Sequence, residues 1–440
     1  MAEAIPNLVR KAGVVGAGGG GFPTHVKLSA RVEHVIANGA ECEPLLKVDQ
    51  QLMARQVDML LAGLKAAMRA TGARRGTIAL KAKNAAIGDM LERRAAGDDI
   101  EVFRLADVYP SGDEQILTYD VTGRVVPEGG LPLDVGVLVQ NVETLVNVAQ
   151  ALEGRPVTHT WLTVGGCVQR PSTLRLPVGM SMASALAEAG GPTIRDFVVL
   201  DGGPMMGKQV ADLAEPVTKV TKGLIVVPAS HYGTSELRQS LSSVVQRARA
   251  ACCQCLECTE ICPRNLLGHD LEPHRLMRAL GYGLQPDVRL ASQAFLCCEC
   301  GLCTGAFACV MDLSPRAVYR ALKPMLAAQN VKNPHRQRPD RPRPAFEYRR
   351  APISRLMAKL GVSQLEAPAE MDEREVDVER VCIPLQQHAG VPATPVVRVG
   401  QRVKRGDLIA DVAKGELGAP VHASIAGRVV ALDGHIEIEA

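Results

Sequence analysis

Eight of the thirteen cysteines fall into two near-copies of one spacing. The first reads Cys252-x-x-Cys255-x-x-Cys258-x-x-x-Cys262-Pro263, and the second Cys297-x-x-Cys300-x-x-Cys303-x5-Cys309. Three thiolates two residues apart can wrap one corner of an iron–sulfur cube, and a more distant fourth closes it. Structural zinc is the rival, but zinc takes four ligands as two pairs with a longer gap between them. Disulfides fit worse: no secretory signal opens the chain, and a reducing cytosol keeps thiols free. Cys253 and Cys298 sit out of phase with the ligand spacing and read as packing residues. Two clusters a short hop apart pass single electrons, so the electrons must come in from elsewhere in the chain.

The first copy, with proline after its fourth cysteine, resembles the run found in bacterial two-cluster ferredoxins. In that family the fourth cysteine serves the other cluster, which implies Cys262 with the second triplet and Cys309 with the first. The second copy departs from the pattern, with five residues before Cys309 and Val310 in place of the proline. It is still read as a 4Fe–4S site.

A chain of 440 residues allows three or four domains with cores of their own. Hydrophobic residues make up 47% and the net charge is +3, as in an ordinary soluble protein. Aromatics at 3% give little support to stacked-base recognition, so no nucleic-acid partner is expected. The longest apolar runs, such as Gly223 to Ala229, fall far short of the roughly 20 residues that span a bilayer. A cytoplasmic protein with no transmembrane segment is expected.

The elements that would position a redox centre lie in the first third. Residues 13–21 read Gly-Val-Val-Gly-Ala-Gly-Gly-Gly-Gly, followed by Phe22-Pro23-Thr24-His25-Val26-Lys27. Gly16, Gly18 and Gly21 formally make a dinucleotide fingerprint, but such a loop should run straight into a helix. Pro23 instead holds Phe22 extended. The better inference is a backbone bared so that a flat or phosphorylated ligand can lie against its N–H groups, with Phe22 and Lys27 adding an apolar surface and a cation. A flexible turn is the alternative. Strands are predicted at 35–37, Thr77–Lys81, Ile100–Val108 and Val135–Val139, with helices at Val48–Thr71 and Ala85–Ala96 between them. That alternation predicts a parallel α/β sheet. Polar turns stand at Asn38–Pro44, Tyr109–Glu114 and Gln140–Thr144, where strands should end. Ligands of open α/β sheets bind outside the carboxyl ends of strands, so the glycine loop and these turns are expected to converge on one pocket.

The set G-x-G-G-x-G-F-P-T, Asn-x-x-Glu-x-Glu-Pro, Tyr-x-x-Gly-Asp-Glu and Asn-Val-Glu-Thr-Leu resembles the flavin-bearing subunit of respiratory complex I, and more closely its RnfC branch. The resemblance implies FMN held by Gly16, Gly18, Gly19, Gly20, Phe22 and Lys27. It implies a flavin and nicotinamide pocket lined by Asn38, Glu41, Tyr109, Gly112, Asp113, Glu114, Asn141 and Thr144. Glu41 and Glu114 are the catalytic-site candidates, acting by position and charge rather than as obligatory bases. Two departures from complex I are Ala40 in place of an aspartate and Val142 in place of a second asparagine. NADH delivers two electrons as hydride and an iron–sulfur cluster takes one at a time; a flavin does both.

Strand pairs at Trp161–Cys167 and Ser172–Pro177, a helix at Ser181–Gly190 and a strand at Phe197–Asp201 resemble the β-grasp module called SLBB, a spacer between flavin and clusters. Its Gly202-Gly203-Pro204-Met205-Met206-Gly207 turn is expected to pack with two core methionines. Helices are predicted at Arg264–Arg278 and Arg316–Met325. The stretch from Cys262 to His274 is close to the PduS-type cobalamin reductases of propanediol-utilisation microcompartments; His269 and His274 are not read as ligands. Residues 331–350, rich in Arg and Pro, read as a solvated and partly extended linker, with a partner-docking arm as the alternative. From Val381 the phrase Val-Gly-x-x-Val-x-x-Gly-Asp-Leu-Ile resembles the barrel-sandwich of lipoyl and biotinyl carriers, though Lys414-Gly415-Glu416 lacks the carrier's lysine context. A barrel at the carboxyl end is the cobalamin-reductase arrangement, whereas RnfC proteins carry it first.

The expected architecture is therefore multidomain α/β. It comprises an FMN/NADH-binding domain at 1–154, an SLBB module with connector at 155–245, a ferredoxin-like two-cluster helical domain at 246–328, a linker at 329–375 and a barrel-sandwich hybrid at 376–440. The resemblance implies an NADH-oxidising electron-transfer flavoprotein with FMN, two [4Fe–4S] clusters and cobalamin as acceptor. Its partner would be an adenosyltransferase or shell protein of a bacterial microcompartment. No D-x-H-x-x-G corrinoid motif is present, so cobalamin would be bound superficially or presented by another protein. The rivals are a soluble component of an ion-translocating Rnf complex and a zinc-stabilised scaffold without redox chemistry.

Overall fold

A computed structural model describes residues 4–231 and 240–440. In the first third, β1 (His34–Gly39), β2 (Arg75–Lys81), β3 (Ile100–Leu105) and β5 (Val137–Asn141) form a parallel sheet in the order β3-β2-β1-β5. The two-residue β4 (Val108–Tyr109) stands outside it. β1 is buried over almost its whole length, as a central parallel strand covered on both faces must be. Its register sets Asn38 directly beside Asn141 on β5, at the carboxyl edge. The helix Val57–Thr71 crosses Val142–Leu152 so closely that a Cβ at Gly63 would lie 1.9 Å from the Leu145 carbonyl oxygen. The single helix predicted over 48–71 is two, Val48–Arg55 and Val57–Thr71, broken at Gln56. The apolar spacing runs on across that break, so periodicity alone does not reveal it.

The second sheet has the order β12-β7-β6-β10-β8-β9. Its strands are β6 (His159–Gly166), β7 (Ser172–Pro177), β8 (Phe197–Asp201), β9 (Lys208–Gln209), β10 (Gly223–Pro228) and β12 (Met371–Asp372). An antiparallel β6–β7 hairpin lies beside β10, which runs parallel to β6, and the helix Met182–Glu188 follows β7. The cysteine-bearing region is helical, with Leu241–Ala251, Pro273–Gly281 and Pro315–Ala328 as its longest helices. The helix predicted over 264–278 is interrupted: Pro263–Leu266 ends ahead of Gly268 (φ +100°), and Pro273 starts the next segment.

Residues 331–350 are largely exposed and without helix or strand, as a solvated linker would be, but they are fastened at several points. Gln337 exchanges hydrogen bonds with Glu128, and the Arg343 amide and Nε donate to the carbonyls of Leu266 and Asn265 at 2.8 Å. Phe346 is buried edge-to-face against Tyr119, with centroids 5.1 Å apart, and Arg350 forks onto Asp120. β11 (Ala351–Pro352) then pairs with β4. One apolar anchor and two well-placed guanidinium groups thus convert an Arg/Pro-rich stretch into a strap joining the flavin-like domain to the cysteine region.

The last strands form two small sheets, β13-β19-β18-β15 and β14-β16-β17. Their ranges are β13 (Arg380–Pro384), β14 (Thr394–Pro395), β15 (Arg402–Val403), β16 (Leu408–Asp411), β17 (Val421–His422), β18 (Gly427–Leu432) and β19 (His435–Glu439). This barrel-sandwich packs back on the first domain. Ala389 donates to the Gly21 carbonyl at 3.0 Å, and the buried Lys219 ammonium donates to the carbonyls of Gly13 and Pro420. No helix among the described residues is long and apolar enough to cross a membrane.

Candidate functional site

The glycine loop closes on itself rather than opening a long helix. Val15 bridges Pro23, the Gly16 amide donates to the Phe22 carbonyl, and only one turn, Thr24–Lys27, follows. The loop sits on the carboxyl end of β5, where the Ala17 amide donates to Thr144 Oγ1 at 2.9 Å. A Cβ on Gly18 would touch Asn141 at 3.4 Å, whereas one on Gly19 or Gly20 would meet nothing within 4 Å. Lys27 Nζ bonds Glu114 Oε1 at 2.9 Å beside the loop. The buried side-chain atoms without a hydrogen-bond partner include Thr24 Oγ1 just after the loop, Gln140 Nε2 near the end of β5, and Ser111 Oγ. A bare glycine rim, a lysine and spare polar atoms at one strand edge fit a flavin mononucleotide.

Asn38 Nδ2 donates to the Gly112 carbonyl at 2.9 Å, drawing the second turn onto the first. Asn141 caps its helix through Glu143 N and donates to both oxygens of Asp49 at 3.0 Å. Glu41, at φ +29°, accepts from Gln50 N. Burial, then the Asp49 charge, pushes the Glu41 carboxyl up to about 8. Burial also raises Asp49, and it lowers Lys222, paired with the buried Glu143, to about 8. Glu41, Asp49, Asn141, Glu143 and Lys222 thus form one polar cluster at the sheet edge. The sequence reading missed Asp49, hidden in a helical stretch, and Lys222, which arrives from the β-grasp module with no local motif.

Two expected pocket residues face the other way. Tyr109 is buried and its hydroxyl donates to the Cys300 carbonyl at 2.7 Å. Asp113 caps the helix Glu114–Thr122 and forms a bidentate pair with Arg264 at 2.6 and 2.8 Å. Their polar groups are consumed by the cysteine region packed beneath them. Glu114 and Gly112 stay on the glycine-loop side, against Lys27 and Asn38 respectively.

The cysteines sort into two cavities. Cys262, Cys297, Cys298, Cys300 and Cys303 line the inner one with Arg316 and Tyr319. Cys252, Cys253, Cys255, Cys258 and Cys309 line the outer one with His274 and Met277. Each fourth cysteine has therefore crossed to the other triplet. Positive φ at Gln254, Leu256, Glu299 and Gly301 lets the short loops curl around the cavities. Burial, then the neighbouring cysteines, pushes the Cys258 and Cys262 thiols up to about 12. Four thiolates can share such a cavity only around a cationic centre, and this donor set fits a 4Fe–4S cluster. Among the extra cysteines, Cys298 lines the inner cavity and Cys253 is exposed rather than packed.

The inner set is fastened to its neighbours. Besides Tyr109 and Asp113, Arg316 donates to the Met205 carbonyl, while the Met205 and Met206 amides donate to Glu43 at 3.1 and 2.7 Å. Burial pushes the Glu43 carboxyl up to about 7. Of the two methionines in the Gly-Gly-Pro-Met-Met-Gly turn only Met205 is in the core; Met206 is 51% exposed. His269 and His274 bond Val126 O and Thr259 Oγ1 respectively.

Four family models match this arrangement in order. They are the Nuo51 FMN-binding domain over residues 9–150, the SLBB domain over 162–209, the 4Fe-4S dicluster domain over 251–314 and the RnfC barrel sandwich hybrid domain over 369–440. Cobalamin reductase PduS of Salmonella typhimurium is 48% identical over 436 residues, which is 98% of this chain and 95% of that protein. The Citrobacter freundii protein of the same name is 46% identical over 97% of this chain and 94% of its own length. A component of the Na(+)-translocating ferredoxin:NAD(+) oxidoreductase complex of Acetobacterium woodii is 36% identical over 60% of this chain and 59% of its own. Among solved structures, an NAD+-reducing [NiFe]-hydrogenase in the H2-reduced state matches at 22% identity and TM-score 0.46, covering 75% of this chain and 63% of that one. With near-complete coverage at 48% identity and all four modules in place, the chain belongs to the PduS cobalamin reductase family.

Proposed function

We propose that this protein is an NADH-oxidising flavo-iron–sulfur cobalamin reductase. The carrying observation is the sorting of eight cysteines into an inner cavity against the flavin-like domain and an outer cavity at the surface. Gly16, Gly18, Gly19, Gly20, Phe22 and Lys27 hold the flavin, with Asn38, Gly112, Glu114, Asn141 and Thr144 on the same strand edge. When bound, FMN takes the hydride pair of NADH and returns electrons singly, the form an iron–sulfur cluster accepts. Cys262, Cys297, Cys300 and Cys303 ligate the inner cluster, and Cys252, Cys255, Cys258 and Cys309 the outer. Glu41, kept largely protonated at neutral pH by burial and Asp49, limits the negative charge that an incoming dinucleotide meets at this edge. The acceptor meets the outer set, whose Cys255 is exposed. That acceptor is cobalamin, lying on the surface or presented by an adenosyltransferase or shell protein within a microcompartment.

Anaerobic purification followed by NADH titration tests the reading. Flavin bleaching and cluster reduction should appear first, and reoxidation should follow when cob(III)alamin or cob(II)alamin is added. Well under four irons per chain, or no FMN retained on reconstitution, would overturn it. The Rnf reading has the weaker support, because its relatives match 60% of the chain where the cobalamin reductases match 98%.

A further inference from the structure

The barrel-sandwich carries a second, separate set of metal donors. Cys382 on β13 and Glu437 on β19 are direct cross-strand partners, and His435 lies two residues before Glu437 on the same face. That face is the outer one, because the alternating residues Val381, Ile383, Ile436 and Ile438 are all in the core. One ligand atom from each of Cys382, His435 and Glu437 lies within 4.8 Å of the others. His435 Nε2 and Glu437 Oε1 are 3.1 Å apart. Around a tetrahedral ion with N and O bonds near 2.0–2.1 Å, two such ligands stand about 3.3 Å apart, so this edge is already at coordination spacing. Glu437 uses its other oxygen, Oε2, to accept from Arg380, which orients the carboxylate as an outer partner of a ligand does. A half-buried thiol beside an imidazole and a carboxylate is an unusual choice for the outer face of a strand pair, where it fills no core.

We propose that Cys382, His435 and Glu437 form a zinc site on the barrel-sandwich, distinct from both cluster cavities. The sulfur, nitrogen and oxygen donors suit zinc, and two rigid, hydrogen-bonded strands preorganise them. Three protein ligands leave a fourth position for water. Binding displaces the Cys382 proton and ties the first strand of the barrel to its last, so the metal acts as a staple across the β13–β19 pair.

The test uses full-length protein with its iron and flavin loaded, dialysed against low-micromolar zinc, because cysteines short of iron would take zinc themselves. One zinc per chain beyond the iron is expected, and the zinc X-ray absorption edge, which iron does not mask, should show one sulfur and three nitrogen or oxygen neighbours. Cys382→Ser and His435→Gln should each keep iron and flavin while weakening zinc binding by more than about 100-fold. No zinc retained by the intact protein, two or more sulfur neighbours, or retention unchanged in both variants would each overturn the proposal. The absorption measurement needs only the wild-type protein, so a variant that misfolds does not leave the question open.

Discussion

The inner and outer cysteine sets have the same four ligands and almost the same spacing, yet the protein treats them differently. Cys262, Cys300 and Cys303 of the inner set are at most 9% exposed, and neighbouring modules grip the loops around them through Tyr109, Asp113 and Met205. Both cavities are lined by residues of the helical region itself, but in the outer set Cys255 is exposed. The glycine loop resembles the outer set in this respect, since Gly18, Gly19 and Gly20 are exposed and a Cβ on Gly19 or Gly20 would meet nothing within 4 Å. Where the chain must meet a molecule from solution it leaves its backbone bare. Where it must hold a fixed distance between modules it uses buried hydrogen bonds and ion pairs. Substitutions on the inner side should therefore cost stability, and those on the exposed sides should cost exchange with solution.

The largest effect is expected at the cysteines. Cys300→Ser should cut iron from about eight per chain to about half and stop NADH from reducing the outer cluster, while the flavin still bleaches. Cys255→Ser should leave the inner cluster reducible by NADH but slow cobalamin reduction by more than about 100-fold, a loss of about 3 kcal/mol in barrier terms. Electron paramagnetic resonance of the NADH-reduced variants separates the two. A Cys300→Ser protein whose outer cluster NADH still reduces, or a Cys255→Ser protein whose inner cluster it no longer reduces, would break the comparison.

A matched pair of charge removals sharpens it. Asp113→Asn keeps an acceptor for the helix cap but strands Arg264, whose side chain is 9% exposed, and should cost about 3–5 kcal/mol. Asp312→Asn removes the carboxylate facing Arg247 near the outer set, leaving that guanidinium its bond to the Asp312 carbonyl; both side chains are over a third exposed, and the change should cost no more than about 1 kcal/mol. Thermal unfolding of the loaded proteins reads both. Similar losses would mean that the inner side is no more tightly held than the outer.

Glu43 sits at the junction that anchors the Met205 turn, and its burial carries a pH signature. Its carboxyl titrates at about 7 in the native protein against an ordinary 4.5. Between those values the native state holds a proton that the unfolded chain has lost, so this group's contribution falls as pH rises from about 4.5 to 7. The sum is about 3 kcal/mol. Glu43→Gln should match the wild type near pH 5 and overtake it in melting temperature towards pH 8. A gap that does not change with pH would show that this carboxylate is ionised throughout.

The local motifs were legible in the sequence because their chemistry needs fixed short spacings. The cysteine triplets and the glycine run stand out as compact local clusters, whereas the turn read over Gln140–Thr144 is the end of β5 followed directly by the helix Val142–Leu152. The crossing of Cys262 and Cys309 came from a family pattern and is matched by the two cavities. What stayed hidden depends on distant partners. Tyr109 and Asp113 sit in a motif that points to the flavin edge, but Cys300 and Arg264, more than a hundred positions away, claim their polar groups. The strap at 331–350 was hidden for the same reason: arginine and proline read as solvated until Asp120, Glu128 and the groove for Phe346 are in place. Lys222 had no motif at all, and only the packing of the β-grasp module on the sheet edge brings it to Glu143.

The smallest expected change in stability is the sharpest test of the exposed side. Gly20 lies outside the left-handed region, and a Cβ there would meet nothing within 4 Å. Gly20→Ala should therefore shift the stability of the flavin-free protein by no more than about 0.5 kcal/mol, as for an ordinary surface substitution. If the bared backbone is where the flavin lies, the same methyl group occupies the ligand's space, and the FMN dissociation constant should rise by at least about tenfold, or 1.4 kcal/mol. Iron content should not move. Fluorescence titration of the deflavinated protein with FMN, run beside its thermal melt, gives both numbers on one sample. An alanine that binds FMN as tightly as the wild type would move the flavin off the glycine rim. One that lowers the melting point by several degrees would mean that the rim is structural after all.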